Sequence, residues 1–352
     1  MEEVRRRLAS SRLDGVLLCH LPNIRYLTGF TGSAGALIVT QDTAWLVTDG
    51  RYRIQAAQEV TSASVRIASG SAVEHAGKLL SGRRALRVGY EADYVSVSAL
   101  KALKSAGGKA VRWGGIRGWV EEARSVKDAA EVLAIRASAR LASGILRSLL
   151  PMIKPGVAEL DLAAEMDYQM RRKGAEGPSF ETIVASGPRT ALPHARPTSR
   201  RIGKNELVLL DWGAILRGYC SDLTRTLLVG RASGRILRWF KAVRDAQQAA
   251  IEAARPGATA GKVDRAARRV LEQAGFGRYF SHSTGHGVGL EIHEGPRLAR
   301  NRQERLQAGN VVTIEPGMYV EGVGGIRLED DILISEKGPE LLTSAPREFL
   351  QL

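Results

Sequence analysis

The stretch VLLDWGAILRGYCSDLTRTL, residues 208–227, reads as two apolar strands joined by a tight turn at Leu216, Arg217 and Gly218, with Asp211 and Asp222 inside them. A turn centred between Leu216 and Arg217 makes the two aspartates direct cross-strand neighbours on one face. Like charges placed so destabilise a sheet unless something positive sits between them. A hairpin with acid at its centre therefore asks for a cation.

A second hairpin repeats the pattern. VVTIEPGMYV, residues 311–320, runs through the glycine-rich turn EGVGG into GGIRLEDDILIS, residues 324–335. Centred on Gly322, this pairing sets Glu315 opposite Glu329. Four carboxylates aimed at one place raise one another's pKa or force the strands apart, and divalent ions remove that conflict. Carboxylates with an imidazole suit Mn, Co or Zn, and bridging carboxylates hold two such ions roughly 3.5 to 4 Å apart.

The imidazole is expected from HSTGHGVGLEIHE, residues 282–294, where Gly285, Gly287 and Gly289 surround His286 and would let the backbone approach an ion. His194, His282, His286 and His293 fall in the C-terminal half, whereas His20 and His75 have no acidic motif nearby and read as surface or packing residues. Each acid alone has a plainer reading. Asp211 would be a turn or cap residue, Glu315 a turn acid before Pro316, and Glu329 part of a solvated EDD edge. Those readings must all hold together to displace a metal site, and two matched acid pairs with a glycine-framed histidine make that coincidence hard to sustain.

The rest of the chain is consistent with a folded two-domain protein. Its 352 residues exceed what one hydrophobic core usually supports. Over residues 1–120, strands (DGVLLC, GALIVT, AWLVTD, SVRIA, ALRVGYE, AVRW) alternate with helices (MEEVRRRLASSRL, RYRIQAAQEV, SVSALKALKSA), which predicts an α/β domain. A boundary is expected at 115–125, where GGIRG loosens the chain, followed by an α+β domain over 121–352 that opens on a long helix ended by Pro151. That domain reads as two similar halves, KPGVAELDLAAEMDYQMRRKGA and RPGATAGKVDRAARRVLEQAGFG each preceding an acid-bearing hairpin.

Composition excludes several function classes. No apolar run approaches the roughly 18 residues that cross a bilayer, and the charged N-terminal helix lacks a signal-peptide core. With two cysteines, Cys19 and Cys220, in separate domains, a cytoplasmic location is expected. The net charge of +14 invites a nucleic-acid reading. Its basic residues are scattered at 5–7, 83–84, 171–173 and 200–201, without aromatic interleaving, so solvated faces are expected rather than a nucleic-acid site.

Together, SGPRTALPHARPT, LLDWGAILRGYCSDLTRT, HSTGHGVGLEIHE, TIEPGMYV and GGIRLEDD resemble the creatinase/methionine aminopeptidase-like, or pita-bread, metallopeptidases. Within these the sequence is similar to the Xaa-Pro aminopeptidases and prolidases. The resemblance implies a creatinase-like N-terminal domain, a pita-bread catalytic domain with pseudo-twofold halves, and two divalent ions, with Mn preferred over Co or Zn. It implies Asp211, Asp222, His286, Glu315 and Glu329 as ligands, with Asp222 and Glu329 bridging. It further implies that His194 contacts the bound peptide, that His293 hydrogen-bonds the scissile carbonyl, and that His282 and Arg327 lie beside the ligands or substrate. Arg189 departs from the small polar residue common at that point of the family motif.

The expected reaction is hydrolysis before proline by a hydroxide shared between the ions, with Glu315 carrying the proton. YLTGFTGSAGALIV followed by WLVTDGRYRIQA looks more like the aminopeptidases, so an Xaa-Pro aminopeptidase is the first expectation and a dipeptide-specific prolidase the near rival. A metal-free binding protein or a creatinase-like, metal-independent hydrolase is disfavoured because every ligand position is filled. A homodimer, with the N-terminal domain shaping the partner's entrance, is expected from the resemblance.

Overall fold

Alternating apolar strands and helices in the first third fold as an open sheet. In the computed structural model, which describes residues 1–82 and 85–352, the chain forms two compact units, Met1–Arg124 and Ser125–Leu352. The basic pair at 83–84 lies outside the described residues.

In the first unit, strands β1 (Gly15–Leu18), β2 (Ala36–Thr40), β3 (Ala44–Asp49), β4 (Ser64–Ala68), β5 (Leu86–Glu91) and β6 (Val111–Ile116) make one sheet in the order β4-β3-β2-β1-β5-β6. β1 runs parallel to β5 and antiparallel to β2. Helices lie between strands, so β1 is buried along its whole length and reads as a continuous apolar run rather than an alternation. The expected helices appear as α1 (Glu2–Ser11), α3 (Arg53–Glu59) and α5 (Val97–Gly107). Two more, α2 (Leu21–Thr28) and α4 (Ala72–Leu80), were not expected. α2 is short, opens on a proline in its first turn and stops at Gly29, whose φ of 79° is left-handed. Gly114 and Gly115, expected to loosen the chain, lie inside β6. A short helix α6 (Trp119–Ser125) follows.

The second unit opens on α7 (Ala129–Leu149), fixed at its start by a capping box in which Asp128 and Glu131 exchange hydrogen bonds with each other's backbone. Its two halves repeat one plan. α8 (Glu159–Arg172) and α10 (Ala260–Gln273) each follow a Pro-Gly whose glycine has positive φ (91° at Gly156, 81° at Gly257), and each ends before another such glycine (98° at Gly174, 81° at Gly275). Isolated bridges recur at matching places, Ala158 to Arg201 and Thr259 to Arg305. α9 (Gly234–Ala253) packs on α10 in the second half.

In the first half, the short β7 (Gly177–Pro178) pairs with the hairpin tip, β8 (Ile183–Ser186) and β12 (Leu223–Val229) flank β9 (Glu206–Trp212), and the tip itself is made by β10 (Ala214–Leu216) and β11 (Tyr219–Cys220). Its register differs from expectation. Leu216 pairs with Tyr219 across a two-residue turn, Arg217 and Gly218, both with positive φ as a type I′ turn requires. Asp211 therefore faces Thr224, not Asp222. Because moving the turn centre by one residue moves each partner by two, and side chains alternate with period two, Asp222 remains on the same face as a diagonal neighbour.

In the second half, β13 (Gly285–Gly287), which carries His286, lies between β14 (Glu294–Leu298) and β15 (Val311–Ile314), β15 pairs with β18 (Asp330–Ser335), and β16 (Gly317–Val320) with β17 (Gly324–Arg327). Ile314 faces Asp330 and Gly317 faces Arg327, so one register runs through Glu315 and Glu329 and matches the turn centred on Gly322. The halves meet along β12. Thr224 O accepts from Glu329 N at 3.1 Å, Asp331 Oδ2 accepts from Asp222 N at 2.9 Å, and Thr226 Oγ1 accepts from Arg327 N at 3.1 Å.

Candidate metal centre

That seam brings all the expected site residues to one cavity of about 700 Å³ within the second unit. Asp211, Asp222, His286, Glu315 and Glu329 line it, as do His194, His282, His293 and Arg327. Asp222, His286 and Glu329 each offer a ligand atom within 4.8 Å of the others. His286 Nε2 lies 3.5 Å from Asp222 Oδ2 and 3.8 Å from Glu315 Oε1.

The imidazole is prepared as a donor to a cation. His286 Nδ1 lies 3.0 Å from Gly287 O, so that nitrogen carries the hydrogen and Nε2 turns its lone pair toward the carboxylates. Burial lowers its pKa to about 4, which keeps the ring neutral. Its glycine frame has a different cause from the one expected. A Cβ on Gly285 would lie 1.9 Å from Thr313 O, and one on Gly287 would lie 2.0 Å from Gly295 O. These glycines let neighbouring backbone come close enough to fix the strand carrying His286, rather than opening the backbone to an ion.

The carboxylates are in electrostatic conflict. Burial, followed by the charge of Glu329, drives the Asp222 carboxyl well above its ordinary range. Burial and the charges of Glu315 and Asp211 do the same to Glu329. Burial raises Glu315 to about 8, although the Arg327 charge pulls against it. Asp211 Oδ1 and Asp222 Oδ1 are buried with no hydrogen-bond partner among the described residues. Buried acceptors left unsatisfied are costly. A neutral imidazole and crowded carboxylates with orphaned oxygens are the donor set that divalent cations satisfy.

Metallopeptidase family M24 matches residues 134–336, and the Creatinase/Prolidase N-terminal domain matches residues 1–126. The chain belongs to metallopeptidase family M24. Family M24 relatives match it end to end. An uncharacterized peptidase of Bacillus subtilis (strain 168) is 36% identical over 100% of this chain and 99% of its own. The Xaa-Pro dipeptidase from Bacillus anthracis superposes with a TM-score of 0.95 at 35% identity, covering 100% of this chain and 98% of that one. An X-Pro aminopeptidase from Thermotoga maritima superposes with a TM-score of 0.89 at 34% identity, covering 98% and 100%. The two units are thus a creatinase-type N-terminal domain and a pita-bread catalytic domain, and the protein is a metallopeptidase. No described helix is long and apolar enough to cross a membrane.

Several residues of this M24 site escaped the sequence reading. Tyr319, buried, receives a hydrogen bond from Arg327 Nη1 at 2.8 Å and donates to His282 Nε2 at 2.8 Å, while His282 Nδ1 faces Ser283 O. Arg327 also binds Asp211 Oδ2 and donates to Thr224 Oγ1 at 3.1 Å, so its guanidinium is held by protein groups. Asp331 holds the Asp222 amide. The EDD run, which could have been a solvated edge, is buried at all three residues. Period-two alternation would have placed Asp331 on the Glu329 face. Tyr319 carries no comparable signal beyond its place near Glu315.

The raised carboxyls make metal binding compete with protons. In the metal-free fold their protonated forms are favoured, so this contribution to stability is present below the ordinary carboxyl range and lost as pH rises through about 8, the Glu315 value. Affinity for Mn²⁺ is therefore expected to rise between pH 6 and 8, by about tenfold per unit for each proton displaced. Calorimetric titration across that range checks it; a flat affinity contradicts the electrostatic reading.

Proposed function

We propose that this M24 metallopeptidase cleaves the bond between an N-terminal residue and a following proline, and that its preferred substrate is the Xaa-Pro dipeptide. Asp211, Asp222, His286, Glu315 and Glu329 would hold two divalent ions, Mn²⁺ first. When bound, these ions supply Lewis-acid polarisation and lower the pKa of water.

The chain's own residues supply the rest. His293, whose ring lies 4.4 Å from that of His286, is placed to donate to the scissile carbonyl oxygen as charge develops there. Partial desolvation, together with the charges of His194 and Arg297, lowers its pKa and favours the neutral ring. Glu315, on the cavity wall beside His286, is suited to take a proton from the attacking water and pass it to the leaving imide nitrogen. Proline gives that nitrogen no N–H and fixes φ; a site that recognises the ring itself can accept what an amide-reading site cannot. His194, exposed at the cavity wall, is the peptide contact.

The preference for dipeptides rests on Arg297. Its side chain lines the same cavity, its charge acts on His286, His293 and Glu315, and among the described residues no carboxylate pairs with it. A free guanidinium near the reacting end of the cavity suits a substrate carboxylate. In a dipeptide that carboxylate belongs to the proline itself. Relatives carry both dipeptidase and aminopeptidase names, so this observation favours the prolidase reading over the aminopeptidase first expected from sequence.

Arg297→Gln is expected to raise KM for Xaa-Pro by about tenfold or more, the loss of one charge-assisted contact, and to leave Xaa-Pro-amide unchanged. Comparing both substrates, with Xaa-Pro-Yaa tripeptides alongside, tests the assignment. Wild-type enzyme that prefers the tripeptide would return the reading to an aminopeptidase. A homodimer goes with either form, an expectation that rests on the family resemblance.

A further inference from the structure

Arg189 ties together the loop that carries His194. Glu159, the first residue of α8, has a fully buried side chain and accepts hydrogen bonds from both ends of one loop. At one end Ser186 donates from N at 2.8 Å and from Oγ at 2.9 Å. At the other, Thr198 donates from N at 3.1 Å and from Oγ1 at 2.8 Å.

Inside this closure Arg189 adds a cross-tie. Its Nε donates to Glu159 Oε2 at 3.1 Å, and its Nη2 donates to Arg196 O at 2.6 Å. The backbone between the two ends of that tie includes Pro193, His194 and Ala195, which line the cavity. Among the described residues His194 makes no hydrogen bond through its own ring, so the loop backbone alone sets where the imidazole stands. A guanidinium suits this double task because its planar fork reaches a carboxylate and a carbonyl at once.

We propose that Arg189 is a positioning residue for His194: anchored on Glu159, it holds the Arg196 carbonyl and thereby fixes the imidazole against the bound peptide. This rests on the reading of His194 as a peptide contact. Loss of Arg189 leaves Glu159 four other hydrogen bonds, from Ser186 and Thr198, so the fold is expected to survive.

The test is a double-mutant cycle on the Mn²⁺-loaded enzyme, using Arg189→Gln, His194→Ala and the pair, with Xaa-Pro hydrolysis and thermal unfolding as readouts. Arg189→Gln is expected to lower kcat/KM about tenfold in the wild-type background and less than about twofold when His194 is already alanine, as coupled residues behave. Arg189→Lys, which keeps the charge but cannot span both partners, is expected to retain the wild-type melting temperature and still lose most of that activity. Equal losses in both backgrounds, or an Arg189→Gln enzyme with wild-type kcat/KM, would overturn the proposal while leaving His194 as a substrate contact. Unchanged activity in His194→Ala would instead remove the reading of His194 itself, and the proposal with it.

Discussion

Asp222→Ala is expected to cut turnover to well under a tenth of wild type while the chain stays folded. Asp222 sits where the halves meet: its amide is held by Asp331 from the second half, and its carboxylate lies 3.5 Å from His286 Nε2. In the proposed centre it and Glu329 would be shared between the two cations. Substitutions around a metal's ligands cost roughly 10- to 100-fold, and removing a shared ligand should cost more. Folding is expected to respond in the opposite direction. In chelator, burial and the Glu329 charge oppose ionisation of Asp222, so the isosteric Asp222→Asn should unfold at a higher temperature than wild type near pH 8. In saturating Mn²⁺ that order should reverse, because only the wild type gains the full stabilisation of bound metal. Activity above a tenth of wild type, or a variant that is unfolded in chelator, counts against this placement.

The largest stability effect is expected at Arg225→Met. Arg225 is buried on β12 and uses every N–H of its guanidinium. Nε donates to Pro346 O at 2.6 Å, Nη1 to Thr224 O at 2.9 Å and Glu329 O at 2.6 Å, and Nη2 to Asp330 Oδ1 at 2.7 Å and Ala345 O at 2.9 Å. One side chain therefore ties the first-half hairpin to the second-half hairpin and to the C-terminal segment. Asp330, which also accepts from Gln247 and Thr343, would remain buried with only the more distant Arg347 Nε at 3.5 Å as a cation. Breaking a buried pair by removing one partner typically costs about 3 to 5 kcal/mol. Denaturant unfolding of the metal-loaded variant should show a loss of that order, and Mn²⁺ affinity should fall as Glu329 loses its backbone anchor. A loss under about 1 kcal/mol would mean that the halves are held mainly by their apolar cores.

Much of this was legible in the chain because the site is built from period-two strands. The second hairpin could be registered from its glycine turn, and Glu315 and Glu329 take opposed positions as that turn requires. The first could not, because either Leu216-Arg217 or Arg217-Gly218 can centre a tight turn, and only the positive φ at Arg217 shows which does. The error left Asp211 and Asp222 on one face, since it moved the partner by two residues. Short helices α2 and α4 were missed because eight or nine residues give little periodicity. The partners that Arg225, Thr224 and Asp331 find across the seam were invisible for a different reason: nothing in the sequence says that β12 will lie beside β17 and β18. The glycines around His286 were visible, but their cause was not, because a close backbone neighbour and an approaching ion ask for the same missing Cβ.

In the proposed centre, carboxylates from two matched hairpins and one imidazole hold divalent cations. Its most direct test is calorimetric titration of Mn²⁺ into chelator-stripped protein, with dipeptide hydrolysis followed in the same samples. Two ions per chain, with activity returning as they bind and neither event in Asp222→Ala, is the expected result. Stripped protein that binds no Mn²⁺ and hydrolyses Xaa-Pro at full rate in chelator would contradict it.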